Sequence, residues 1–146
     1  MAASISVGTV LSISAAQGTD AASYAGLTYT VVGEVTSIGP RGGTAQVIET
    51  IPLASGEVDK FIGSINYGSV DVQFSKDLSD AGQLLLTAGF DGGASRTEHS
   101  AKFEDAAGNI AYAAVKIASD VTNTGDANSV TGGTVALEII RKPVIV

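Results

Sequence analysis

The sequence predicts a mainly β protein, a β-sandwich or barrel-like domain of about eight short strands with one helix. Three observations carry this. Several runs alternate apolar and polar side chains with the period of two that marks a half-buried strand. The chain is rich in Gly, with 18, and in Thr, Ser, Val and Ile, a composition of strands and tight turns rather than of a helical bundle. One stretch in the middle changes to a helical pattern.

The clearest strand is residues 69–75, where Val70, Val72 and Phe74 alternate with Asp71, Gln73 and Ser75. The helix follows at 77–88. Ser79 or Asp77 can cap it, Asp80 suits its first turn, and Leu84 to Leu86 form its apolar cluster. Gly82 weakens it, since a mid-helix Gly costs about 1 kcal/mol. Gly89 and then Asp91-Gly92-Gly93 end it. Such a helix would cover an open edge or end of the core.

Along the chain, residues 5–13 alternate as a first strand, with Gly8 marking a bulge or edge. Residues 14–26 are small and polar and read as a loop. Leu27 to Ile38 is the longest strand candidate, with Tyr29, Val31 and Val35 on one face and Thr28, Thr30, Glu34 and Thr36 on the other. It ends at the turn signal Gly39-Pro40-Arg41-Gly42-Gly43-Thr44, and residues 45–53 complete a long hairpin. Pro52 limits that second run to an edge or strand end. A short run at 58–62 and a turn at Asn66-Tyr67-Gly68 lead into strand 69–75.

Thr97 to Glu104 alternates again, with His99, Ala101 and Phe103 on one side and Arg96, Glu98, Ser100, Lys102 and Glu104 on the other. Asp105 to Asn109 turns the chain into a strand over 110–118. Residues 119–132 read as a long polar loop, of the kind that is often functional. Residues 134–140 make the last strand, with Val135, Leu137 and Ile139 inward, before an apolar tail ending Val144-Ile145-Val146. The 146 residues have the length of one domain, 1–146, enough to bury roughly 68–70% of the unfolded surface.

Composition excludes several function classes. Without Cys there is neither a disulfide framework nor a Cys-based metal site, and a single His, His99, cannot build a multi-His site. The formal charge of −7, from 8 basic and 15 acidic residues, disfavours nucleic-acid binding through a basic patch. Residues 1–6 lack the marks of a signal peptide. No apolar run approaches the ~20 residues that span a bilayer, so no membrane partner is expected.

Candidate chemistry is sparse. No Gly-x-Ser-x-Gly elbow surrounds a serine, and His99 falls on the apolar side of its strand, as a packed structural histidine does. Gly39 to Gly43 lacks the Gly-Lys-Ser/Thr ending of a phosphate-binding loop and precedes a strand. Asp120 and Asp126 lack the spacing and the bidentate Glu of an EF-hand. No catalytic residue, metal or cofactor is expected. The polar rows have two readings: solvated outer faces of a sandwich, or one shared aqueous surface.

The order of elements carries a resemblance over nearly the whole chain. Gly8-Thr9-Val10-Leu11, the turn at Ser37-Ile38-Gly39-Pro40, the segment with Phe61-Ile62, strand 69–75 leading into Asp77 to Leu84, and a last strand ending Ile140-Arg141-Lys142-Pro143 together resemble the major tail tube proteins of long-tailed, siphovirus-type bacteriophages. The tube proteins of gene transfer agents, contractile tails and type VI secretion are similar in architecture.

The resemblance implies a β-sandwich whose subunits form hexameric rings, stacked into a tube with a continuous β-barrel lumen. Its helix would lie outside the lumen sheet at the junction between neighbours. Its hairpin loop and N-terminal segment would contact the next ring. The implied partners are further copies of the chain, the tape measure, distal tail and terminator proteins, and double-stranded DNA that passes without specific binding. The implied location is the virion tail, assembled in the host cytoplasm.

Carried onto this chain, strands 27–38, 45–53, 69–75 and 97–104 are the lumen candidates. Alternation then assigns Thr30, Glu34, Thr36, Asp71, Gln73, Glu98, Lys102 and Glu104 to the lumen face. The inter-subunit candidates are Gly39, Pro40, Arg41, Gly42 and Gly43, with Leu84, Leu85, Val144 and Ile145, and the loops at 14–26 and 119–132. A closed ring would remove exposed strand edges, and an acidic lumen would not hold DNA. Rival readings are a virion receptor- or carbohydrate-binding module, which needs an exposed aromatic cluster, and a small hydrolase, which needs an assembled triad or metal set.

Overall fold

The computed structural model describes residues 6–91 and 98–146; Ile5, Gly92, Gly93, Arg96 and Thr97, which carried expectations above, lie outside them. The described residues form ten strands and two helices. These are β1 (Val10–Ser14), α1 (Ala21–Ala25), β2 (Thr30–Val31), β3 (Val35–Ile38), β4 (Thr44–Thr50), β5 (Asp59–Asn66), β6 (Ser69–Ser75), α2 (Ala81–Phe90), β7 (His99–Glu104), β8 (Ile110–Asn123), β9 (Gly132–Ile139) and β10 (Val144–Ile145).

The main sheet runs β2-β1-β7-β8-β9-β6-β3, all neighbours antiparallel, with β10 added to the start of β8. β4 and β5 pair with each other in a separate two-stranded sheet. The two end strands of the main sheet are consecutive in sequence, separated only by Val32, Gly33 and Glu34. The sheet therefore curls until its edges nearly meet, which gives a barrel-like body without a closing ladder.

Period two places the core inside that curl. Val70, Val72 and Phe74 of β6 are buried and Asp71 and Gln73 exposed, as the alternation predicts. Leu11 and Ile13 of β1, Val115 of β8, and Val135 and Leu137 of β9 join them at 1% exposure or less. Each such side chain contributes about 1.5–3 kcal/mol on burial. Leu86 of α2, with Leu85 and Phe90 partly buried beside it, fills the interior from one end. The helix thus plugs the curled sheet.

The expected strand over 27–38 is two strands on opposite edges: β2 pairs with β1 and β3 pairs with β6. The break falls at Gly33-Glu34, where Glu34 takes a left-handed φ of 60°. The expected hairpin between 27–38 and 45–53 is consequently absent. β4 pairs with β5, and the hairpin tip lies at 51–58 rather than at Gly39–Thr44, which instead connects the two sheets.

Residues 14–26 hold a second helix, α1, capped by Asp20, whose carboxylate accepts from the Ser23 N–H at 2.8 Å. It lays Tyr24 on the outer face of β1, β7 and β8, where Tyr24 stacks on Tyr112 with ring centroids 5.5 Å apart. Ser100, expected on a wet face, is fully buried there and donates to the Ala16 carbonyl at 2.9 Å. β8 extends to Asn123, so the loop expected at 119–132 shrinks to 124–131. Of the expected apolar cluster on α2, Leu86 is buried while Leu84 is half exposed.

Candidate assembly interface

The corner between the sheet's two edges is held by the start of α2. The Gly33 N–H donates to Asp80 Oδ2 at 3.0 Å, and the same oxygen caps the helix by accepting from the Gln83 N–H at 2.9 Å. Gln83 is 2% exposed and fully occupied. Its Nε2 donates to the carbonyls of Gly33 and Ser75, each at 3.0 Å, and its Oε1 accepts from the Asp77 N–H at 2.9 Å. The cap is thus Asp80, not Ser79 or Asp77; Asp77 instead binds the Ser79 N–H and hydroxyl, and these bonds hold its carboxyl below the usual range. Gly82 is required because a Cβ there would collide with the Val31 carbonyl. Sequence reasoning missed Gln83; the signal was a polar residue inside the helix's apolar cluster.

The expected lumen residues fall into two groups. Glu34, Thr36, Asp71 and Gln73 come together at the β3–β6 edge. The Glu34 carbonyl accepts from the Ser75 N–H at 2.9 Å and Thr36 Oγ1 donates to the Gln73 carbonyl at 3.2 Å. Lys102 and Glu104 lie on β7, three ladders from β6 and ~14 Å along the sheet, and Thr30 lies on β2, the end strand five ladders from β6. Lys102 pairs with Glu104 at 3.5 Å and lies over the Tyr29 ring. Glu98 is gripped by both guanidinium nitrogens of Arg141, Nη1 donating to Oε1 at 2.9 Å, which fastens the C-terminal segment to the start of β7. His99 is buried, facing Gly89 of α2.

The expected contact residues are placed as follows. Gly39 is tied to β6 through its N–H on the Asp71 carbonyl at 2.7 Å, and Pro40 to Gly43 run exposed from there to β4. Leu84 is exposed and Leu85 half-buried on α2. Val144 and Ile145 pair with Tyr112 and Ala111 of β8, Val144 half-buried and Ile145 exposed. Asp120 and Asp126 do not share a loop. Asp120 lies in β8, 3.9 Å from Lys76, and Asp126 caps the turn at Asn128-Ser129. Among the described residues no group of three acids or histidines is set to hold a metal, and no helix is long and apolar enough to cross a membrane.

Among the described residues, exposed large apolar side chains gather on the β4–β5 hairpin, which sequence reasoning did not single out as a unit. Val47, Ile48, Ile51, Val58, Phe61, Ile62 and Ile65 are each about half exposed or more, and Leu53 at the tip is wholly exposed. Consecutive residues such as Phe61 and Ile62 point to opposite faces of a strand, so both faces of the hairpin are apolar and uncovered. An isolated two-stranded hairpin is marginal in water, and apolar patches of this kind mark association surfaces.

The curled sheet, plugging helix and projecting hairpin are similar in fold to solved chains from phage tails, gene transfer agents and contractile injection systems. A chain of the PVC sheath/tube terminator of an extracellular contractile injection system aligns over 100% of this chain and 98% of its own, at a TM-score of 0.69 and 9% identity. A chain from the tail of an empty gene transfer agent particle, of C6 symmetry, aligns over 91% and 92%, at 0.63 and 14%. The SPP1 tail tube aligns over 94% of this chain and 76% of its own, at 0.64 and 15%. At the level of sequence, no protein-family model and no curated protein matches the chain.

Proposed function

We propose that the chain is a structural subunit of a tail tube, without enzymatic activity. It polymerises as six-membered rings stacked into a tube, which conducts double-stranded DNA during ejection. The observation that carries this is the β4–β5 hairpin, apolar on both faces and unpartnered within the chain. A surface of that kind is stable when covered by other copies, and head-to-tail contacts between identical subunits close rings. The shared fold with the SPP1 tail tube and with the C6-symmetric gene transfer agent tail supports the same reading.

In this assembly Glu34, Thr36, Asp71 and Gln73 face the lumen, where acids and neutral polar groups repel passing phosphate. Lys102 and Glu104 lie on β7, across the curled sheet from β6, with Glu98 just before that strand. The connection from Gly39 to Gly43, with Leu84 and Leu85 and the Val144-Ile145 strand, forms contacts between subunits. The tape measure, distal tail and terminator proteins are its tail partners, and assembly takes place in the host cytoplasm before incorporation into the virion tail. Negative-stain microscopy of the purified chain tests the reading: six-fold rings stacked into tubes are expected, and a chain that stays monomeric at high concentration and does not add to preformed tubes would refute it.

A second reading, a subunit of the ring that ends a tube, is favoured by the end-to-end match to a terminator chain, 100% of one and 98% of the other. Isolated rings that never stack would decide for it.

A further inference from the structure

Beside β3, between it and the β7–β8 turn, lies a cavity of about 710 Å³. One wall is β3, an end strand of the main sheet, which has no strand on its outer edge among the described residues. Val35, Ile38, Phe103, Ile110 and Ala111 give the lining an apolar part, beside Thr9, Thr36, Ser37 and Asn109. At its rim the Arg41 guanidinium lies over the Phe103 ring, 4.2 Å from the centroid. Partial burial pushes the Arg41 pKa down. Among the described residues no carboxylate pairs with Arg41. The nearby acid, Asp105, already accepts from the Ala107 N–H and from both the N–H and Nδ2 of Asn109. The groove thus has an apolar floor between Val35, Ile38 and Phe103, with Arg41 and Asp105 at its mouth and no ion pair between them among the described residues.

The same chain carries the complement. The β4–β5 tip presents Ile51, Leu53 and Val58 to solvent, beside Glu57 and Asp59, which form no ion pair among the described residues. It cannot reach its own groove. The ladder from Thr44↔Asn66 to Thr50↔Asp59 starts three residues after Arg41 and carries the tip away by roughly 20 Å.

We propose that the Arg41 groove is the socket for the β4–β5 tip of a second copy, with Leu53 and Ile51 entering the apolar slot and Glu57 or Asp59 meeting Arg41. The contact is heterologous, since plug and socket are different surfaces, and so it propagates from copy to copy. It rests on the tube reading and specifies which surfaces meet in it.

Because the chain has no Cys, disulfide trapping tests the contact cleanly. The full chain carrying Leu53→Cys together with Ser37→Cys, oxidised after assembly, should give a non-reducing gel ladder of dimers, trimers and higher species. Arg41→Glu should raise the concentration needed for assembly at least about tenfold. Adding Glu57→Lys and Asp59→Lys to it should restore assembly, with circular dichroism confirming that each variant is folded. Rings or tubes that give no ladder, or an Arg41→Glu variant that assembles as the wild type does, would overturn the socket and leave the tube reading standing. A loss that the reversed charges fail to restore would overturn the hairpin as its occupant. A wild-type chain that forms neither rings nor tubes would overturn both.

Discussion

The N–H of Gly33 donates to the carboxylate of Asp80 across 47 residues of sequence, at 3.0 Å, and so ties the corner between the sheet's two edges to the first turn of α2. The bond locates the helix over the seam, and Gln83 one turn on secures both sides of it.

Gln83→Ala should therefore be among the costlier single truncations in this chain. It strands two carbonyls and one N–H, each worth about 1–3 kcal/mol when buried without a partner. A loss of about 3 kcal/mol is expected in urea unfolding, short of full additivity because water can enter the vacated space. A loss within about 0.5 kcal/mol, the level of an ordinary surface substitution, would refute the clasp.

On α2, packing should override propensity. Gly→Ala inside a helix ordinarily gains about 1 kcal/mol. Gly82→Ala should instead lose about 1–3 kcal/mol, because its Cβ meets the Val31 carbonyl and the helix must shift. Leu86→Ala should cost about 2–5 kcal/mol, and Leu84→Ala less than about 0.5 kcal/mol in the unassembled chain. If Leu84 is a subunit contact, its truncation should appear in assembly yield and not in chemical denaturation.

Tyr29 should titrate late. Burial, and the neighbouring Tyr112 and Tyr24, raise its pKa from 10.0 to about 12. Its hydroxyl also donates to the Tyr24 carbonyl at 2.9 Å, which requires the proton. A group with a raised folded pKa contributes stability that is complete below its unfolded value and is lost as pH rises through the folded one. Thermal stability should fall between pH 10 and about 12, and Tyr29→Phe should flatten that fall. A tyrosinate absorbance titration of wild type and Tyr29→Phe would assign the late step.

Charge at the β3–β6 edge should govern DNA passage without governing assembly. Glu34→Lys with Asp71→Lys should leave rings and tubes intact and slow DNA ejection from particles built with the variant, as cations hold phosphate. The slowing should lessen as salt is raised. Ejection at the wild-type rate would remove these residues from the lumen.

Local patterns that decide burial were legible in the sequence. The alternation in β6 placed Val70, Val72 and Phe74 inside and ended the strand at Ser75, and Asp105 to Asn109 marked the β7–β8 turn. What alternation cannot report is a change of partner. In residues 27–38 only Val32, an apolar residue in the polar row, marks the place where the chain leaves one edge of the sheet and joins the other within three residues. The turn signal at Gly39-Pro40 is real, but pairing is decided by tertiary neighbours, and β4 finds β5 across a loop with its own Pro52 and Gly56. Ser100 shows a further limit: β7 is covered on both faces, by the core and by α1, so polarity there does not mean water. The exposed apolar hairpin β4–β5 was not legible, because apolar residues on both faces of a hairpin look in sequence like an ordinary buried strand.

The strand order has a consequence for synthesis on the ribosome. β7, β8 and β9 occupy the middle of the sheet and come from the last third of the chain, whereas β1, β2, β3 and β6 are made first and stand at its flanks. Until residue 104 has emerged β1 lacks β7, and until residue 139 has emerged β6 lacks β9, so the nascent chain exposes the apolar sides of disconnected strand pairs. Translation at about 5–20 residues per second leaves that state in being for seconds. A chain that must wait in this way is a natural client for chaperones before it has any neighbour to join.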